Sequence, residues 1–589
     1  MRKYKVLLLT LAFSGFMSAC QEQLDLPSDG RITMDQVFSD YNRTRGYLSS
    51  CYGFVPKPYM DRASYTDEAQ DADDITPGSK YIVWYGGNVT SLTYPEISAD
   101  GSPWGKLYEG IRKCNVFIEN IKTATVYAPE GEKASWTAQA HVLRALYYLQ
   151  LIKRYGGVPI FDKQLPIDHD FSQDKRATFA EVVTFILADC DKALSYPATR
   201  DGLSWDIFDN QFGIMTRAVA YAVKSQAVTY AASPLWNDGT YTWEKATVIN
   251  AEALSECLAN GYRLFDVKPD PAIAQNAYAL YFFTSSDDQR ATDKETIYHA
   301  GDAMQVWRFA GMPTNPGMER TGPCPTQDLV DSYEMANGMP AITGYSDENR
   351  TVPIINAASG YKETDPYAGR DPRFYASVYY NGSVRNLDQP AGLKVETFVG
   401  GAEEISDINR KHTRTGYYLR KFNNYRSGQN NDADGAIRLF RLAELYMNFA
   451  ESAYQSAGPD AAVNVGTQTM TAREAVNKVR ARAGMPGFPA GMSKAAFETK
   501  YRNERKIEFA FEEHRFFDVR RWKILDQTER FVTGMRITKN GNNFMYKRFK
   551  FVNRNSFSDK YLMYPIDQAE VDKIIGLSGT DWQNPGWLD

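Results

Sequence analysis

The chain has 589 residues and a formal net charge of −5, which excludes a general binder of nucleic-acid backbones, since that class needs a basic surface. The length would fit several average domains, yet no Gly/Ser-rich or Pro-rich linker divides it, so one large body is expected. Aromatic residues make up 13% of the chain, led by 38 Tyr, so core packing leaves rings over for other work.

Arg2, Lys3 and Lys5 precede an uncharged apolar run from Val6 to Phe16, and Ser18-Ala19 supply small residues just before Cys20. That order is a secretory signal peptide over residues 1–19, too short for a membrane span. A thiol directly after small residues can accept a diacylglyceryl group, and cleavage then leaves a lipidated Cys20 as the mature N-terminus. Met17 stands where such sites usually carry Leu. Each buried CH₂ adds about 0.8 kcal/mol, so several acyl chains anchor stably where one does not. Beyond Cys20 no apolar run reaches about 18 residues, and the lipid is the expected membrane attachment. Cys51, Cys114, Cys190, Cys257 and Cys324 show no CxxC pair and no ligand spacing; an oxidising compartment would permit a disulfide but nothing requires one, and most are expected as buried free thiols.

Residues 53–103 come first after the tether and show little helical period. They carry an acidic run from Asp67 to Asp74, which includes Asp71 and Asp73, and then Tyr81, Trp84 and Tyr85. Helical spacing is expected at Trp104–Ile121, Trp136–Tyr155, Phe179–Leu194, Thr216–Ala232 and Trp243–Leu258. The second of these runs into Gly156-Gly157 and Pro159, a C-terminal stop. Two further irregular stretches, 260–330 and 340–435, are rich in Gly, Pro, Asn, Asp and aromatics, and the first holds Trp307 and Phe309. Helices return at Ile437–Ala457, Ala472–Ala483 and Ala495–Trp522, the first two stopped by Gly458-Pro459 and Gly484. The expected architecture is mainly α, built from helix pairs that stack to bury their apolar faces, although no strict repeat period emerges. Loops this long inside a compact body are usually functional.

Four stretches together resemble the SusD/RagB family of outer-membrane nutrient-binding lipoproteins. They are Ala138 to Pro159, Arg441-Leu-Ala-Glu-Leu-Tyr-Met-Asn-Phe-Ala-Glu451, Arg502 to Trp522, and the tail Tyr561-Leu-Met-Tyr-Pro-Ile566 with Asn584-Pro-Gly-Trp587. His141 and Val142 depart from the pattern, where an acidic or polar residue and an Arg are usual. The resemblance implies a tetratricopeptide-like α–α superhelix with a large loop-rich half. It implies a single SusD-like domain over 20–589, with an N-terminal part of about 20–330 and a C-terminal RagB/SusD part of about 290–589. It further implies a lipid-anchored protein exposed on the cell surface, which binds a glycan and presents it to a SusC-type TonB-dependent barrel. A peptide-binding or purely structural lid for that barrel is the alternative.

The residues themselves argue for binding over catalysis. No GxSxG, HExxH, P-loop or helix-opening GxGxxG occurs, and the five His are scattered. Glu504, Glu508 and Glu512 recur every four residues on one helix face. They are expected in ion pairs such as Arg505 with Glu508 and Glu512 with Arg515, since carboxylates stacked on one face are not aimed across a scissile sugar bond. No cofactor is expected. The acidic run has the oxygen density for calcium but lacks the spacing of an EF-hand loop, and ionised acceptors also suit sugar hydroxyls. A sugar ring presents a C–H face to an aromatic ring and hydroxyls to a polar rim. The candidate ligand contacts are therefore Tyr81, Trp84, Tyr85, Asp71 and Asp73 from the early loop, and Trp307 and Phe309 from the middle one. Trp104, Trp136, Trp522 and Trp587 stand in scaffold-like contexts instead.

Overall fold

Threonine starts four of the long helices. Thr178, Thr216, Thr242 and Thr471 each accept a backbone N–H three residues on, which meets one of the donors a helix start leaves open. A computed structural model describes residues 32–587 apart from 59, 130, 206–212, 272, 290, 316, 386–392 and 425–432. The expected signal peptide and the lipidation site at Cys20 lie outside the described residues.

The elements that frame the site are these. The helices are α1 (Tyr41–Cys51), α2 (Lys80–Gly86), α3 (Pro103–Asn120), α4 (Glu132–Tyr155), α5 (Phe179–Leu194), α6 (Arg217–Ala231) and α7 (Trp243–Ala259), then the one-turn α8 (Val306–Phe309), and α9 (Leu442–Ala457), α10 (Ala472–Arg482), α11 (Lys494–Glu508) and α12 (His514–Arg521). The strands are β1 (Ala69–Asp71), β2 (Thr296–Met304), β3 (Pro323–Pro325) and β4 (Ala433–Arg441). From α3 to α7 each long helix packs on the next, and α9 then packs on α7 and α6 and carries α10 and α11. The stack is thus continuous in space although residues 260–441 intervene in sequence. Residues 433–441, partly expected as helix, form a strand antiparallel to β2, and the helix starts only at Leu442.

One apolar core runs along the stack. It takes in Phe38 near one end of the described chain and Trp587 at the other. The four tryptophans expected as scaffold, Trp104, Trp136, Trp522 and Trp587, are all buried in it. His141, the departure from the family pattern, is hydrogen-bonded through Nδ1 to Asp189 at 2.8 Å, so a helix-to-helix contact is kept. The five cysteines are free and buried. No described helix is long and apolar enough to cross a membrane.

The charged stretch 502–522 differs from expectation in two ways. The single expected helix is broken between Glu508 and His514, where Phe511 and Glu513 take positive φ of 64° and 68°. Its acids also pair with distant arginines instead of along the helix. Glu504 meets Arg373 and Arg480, Glu508 meets Arg441 at 2.7 Å, and Glu512 meets Arg441 and Lys421, each at 2.8 Å. Arg505 turns to Asp518 at 2.7 Å and Arg515 to Asp67 at 2.8 Å. All of these residues are buried except Glu512, which is partly so. An exposed i,i+4 pair contributes only about 0.2–0.5 kcal/mol, whereas a buried charge left unpaired costs several times that. The tertiary partners win.

Candidate functional site

The early loop is tightly folded. Ser79 caps α2 by accepting from Tyr81 N, and Gly87 closes it at φ 72°, the left-handed C-terminal stop that glycine favours. Tyr81, Trp84 and Tyr85 thereby fall at i, i+3 and i+4 on one face, and that face is turned inward. They are 1%, 2% and 6% exposed. Trp84 packs against Tyr65 at 4.8 Å and Tyr561 at 5.3 Å between ring centroids. Arg554 covers the Tyr85 ring at 4.2 Å, and the Tyr85 hydroxyl donates to Ser64 O. These three rings were expected to face a ligand; with no open face they are core instead.

The acidic run is consumed in a similar way. Asp71 is fully buried, accepting from Ser64 Oγ at 2.8 Å and from Asp73 N at 3.0 Å, and burial raises its pKa to about 6. It cannot reach a ligand, contrary to expectation. Asp73 is held by Arg410 Nε at 2.6 Å and Arg320 Nη1 at 3.1 Å, and Asp74 by Arg414 Nε at 2.6 Å. Among the described residues no group of three or more His, Cys, Asp or Glu is placed to hold a metal ion. The surface near Asp73 belongs to Arg410, whose side chain is 45% exposed.

Those arginines tie the early loop to the middle one. β1 pairs antiparallel with β3, Ala72 N donates to Gly322 O at 2.8 Å, and Thr321 N donates to Arg410 O at 3.1 Å. Three segments widely separated in sequence, near 70–74, 305–322 and 406–414, form one surface.

On that surface α8 is the element that offers aromatic rings. It follows directly from β2, and Gln305 at φ 54° turns the chain into it. Val306 and Ala310, four residues apart, are buried and pin the turn. Trp307, Arg308 and Phe309 between them are only partly buried. Two glycines allow the loop to lie so close. A Cβ at Gly311 would sit 1.8 Å from Trp307 O, and one at Gly322 would sit 2.5 Å from Phe309 O, so no side chain is tolerated at either position. The outer edge of the Trp307 ring rests beside Gly317. Its Nε1 finds no acceptor among the described residues, an unmet donor of the kind that cores rarely leave. Arg308 lies 5.3 Å from the Phe309 centroid and pairs with Glu319.

The result is a closely packed turn that leaves two rings partly exposed, with the Arg308–Glu319 pair beside Phe309 and Arg410 joined to the same loop through its carbonyl at Thr321. Planar apolar faces beside charged hydrogen-bonding groups suit a ligand with C–H faces and hydroxyls. Glu319 and Asp73, the acids near the platform, are each engaged by arginine. That arrangement holds these groups in place. Arg308, Arg320, Arg410 and Glu319 were not singled out from the sequence. Arg320 and Arg410 reach Asp73 from 247 and 337 residues away, and no local pattern signals such a contact.

Residues 281–587 match the SusD family, and residues 32–199 match a family described as starch-binding and associating with the outer membrane. The chain belongs to the SusD family. Its mainly helical, tetratricopeptide-like stack agrees with solved SusD-like structures. One from Bacteroides fragilis is 26% identical, with a TM-score of 0.74 over 94% of this chain and 99% of that one. A second from the same organism, a SusD-like carbohydrate-binding protein, is 19% identical, with a TM-score of 0.66 over 91% and 99%. A surface glycan-binding protein A from Bacteroides fluxus is 19% identical, with a TM-score of 0.55 over 93% and 100%. The last two likenesses concern the fold alone. SusD-like protein P38 of Formosa agariphila is 24% identical over 196 residues, covering 33% of this chain and 38% of that protein.

Proposed function

We propose that this SusD-family chain captures a glycan at the outer cell surface and delivers it to a SusC-type TonB-dependent barrel without chemically altering it. The observation that carries this reading is the α8 platform, where Trp307 and Phe309 remain partly exposed on a turn locked by Val306, Ala310 and two close-packed glycines. A ring fixed before binding loses little entropy when a sugar stacks on it. The names of the relatives, carbohydrate-binding and surface glycan-binding, support the same ligand class. Lipidation at Cys20 would keep the site at the outer membrane, an association the N-terminal family match also carries in its description.

Isothermal titration of the intact protein against a panel of polysaccharides and oligosaccharides tests the reading. Binding to at least one, with no reducing ends released, is the expected result. Silence across the panel from folded protein would count against glycan capture, and binding of peptides in its place would favour a peptide-handling role.

A further inference from the structure

A cavity lies apart from α8. It has a volume of about 660 Å³ and opens between α1, the start of α4, and the segments 200–204 and 213–215. That size falls within the roughly 300–1,000 Å³ usual for small-molecule sites. Tyr298 contributes to its lining from β2, the strand that leads into α8. At about 3.3 Å per residue, Tyr298 and the end of β2 are roughly 20 Å apart. None of the residues that form the α8 platform lines this cavity.

Its inner wall is fixed by hydrogen bonds. The Tyr52 hydroxyl donates to Gln139 Oε1 at 2.6 Å and accepts from Met215 N at 3.0 Å, and the Tyr298 hydroxyl donates to Gly213 O at 3.0 Å. Tyr41 packs against Trp136 with ring centroids 5.5 Å apart and donates to Glu132 Oε1 at 2.7 Å. The other carboxylate oxygen, Glu132 Oε2, is shielded from solvent and has no hydrogen-bond partner among the described residues. Leaving a carboxylate oxygen buried and unmet costs on the order of 1–3 kcal/mol, which a ligand hydroxyl would recover.

The charge of the lining selects the ligand. Among the described lining residues Arg45 and Arg200 stand against Glu132 and Asp201, so neither sign of charge prevails there. Rings beside carboxylate, amide and guanidinium groups fit a neutral molecule that carries both donors and acceptors. We infer that this cavity is a second binding site, specific for a short neutral saccharide, with Glu132 Oε2 accepting a sugar hydroxyl and Tyr41 and Tyr52 offering ring surface. It extends the glycan reading without depending on the α8 platform.

Saturation-transfer NMR with maltose, cellobiose, lactose, xylobiose and chitobiose as probes, and digalacturonate as the charged control, tests the assignment. It would be run at millimolar sugar on the wild-type protein and on Trp307→Ala. At least one neutral disaccharide is expected to bind both proteins and to be preferred over digalacturonate. Glu132→Ala should weaken that binding about ten-fold, or about 1.4 kcal/mol, and Arg45→Ala, an exposed rim change, should weaken it by a smaller factor. Unaltered helical circular dichroism confirms the fold of each variant. Disaccharide binding that Trp307→Ala abolishes, or that neither Glu132→Ala nor Arg45→Ala changes, would overturn the second site and leave the α8 reading standing. Binding lost only on changing Glu132 or Arg45, with Trp307→Ala silent in effect on every glycan, would support this cavity and remove the α8 platform.

Discussion

Trp307→Ala removes a ring that rests beside Gly317 and is otherwise partly open to solvent. The expected result is a loss of glycan affinity of about ten-fold or more, with a stability change of no more than about 1 kcal/mol. Trp84→Ala should do the reverse. Its ring is enclosed by Tyr65, Tyr94, Phe516 and Tyr561, so truncation leaves a cavity and costs about 3–5 kcal/mol. Chemical denaturation midpoints and titration of the same two variants separate the roles. The sequence places both tryptophans among aromatics in stretches of weak period, and the difference between them is set by what each turn packs against. Asp71 shows the same limit. Its neighbours suggest a solvated acidic loop, yet β1 pairs with a strand some 250 residues on, and that pairing buries it.

At the scale of elements, the 504–512 carboxylates contribute to acid stability. Glu504 and Glu512 are held down at about 2, against an ordinary 4.5; burial opposes the shift, and their arginine and lysine partners outweigh it. Between those values the unfolded chain binds more protons than the folded one. Their stabilisation is therefore complete above about pH 4.5 and is lost as pH falls toward 2. The share of the wild-type denaturant midpoint set by these two groups should be steady from pH 7 to 5 and drop steeply below 4.5, while Asp71, raised to about 6, adds a slope of its own above that. Glu504→Gln, which leaves Arg373 and Arg480 without a full counter-charge, should cost about 3–5 kcal/mol at pH 7 and flatten part of that acid slope. An equal slope in wild type and variant would mean that the buried network does not control it. The helices themselves were legible, because 3.6-residue spacing and Gly stops act locally. Phe179–Leu194 came through at both ends. The break at Phe511 and Glu513 was not legible, since the acids on either side of it and Arg515 find their partners outside the stretch, Arg515 at Asp67.

Across the whole molecule, a helical stack forms a rigid back, and the segments between α7 and α9 fold over it with the early loop to make a face. The motifs Arg441 to Glu451 and Arg502 to Trp522 identified that back in the sequence because their charges are buried scaffold: Arg521 and Glu451, one from each, meet at 2.7 Å. The face carries no such signature. Its few exposed rings are chosen by long-range contacts such as Thr321 to Arg410 and Asp73 to Arg320, so only Trp307 and Phe309 among the expected rings remain available to a ligand. The most direct measurement is a crystal structure of the protein with the glycan that titration selects. The account predicts a sugar ring stacked on Trp307 with hydroxyls within hydrogen-bonding distance of Arg308 or Arg410. A glycan bound on this face but away from α8, with the Trp307 ring bare, would contradict it.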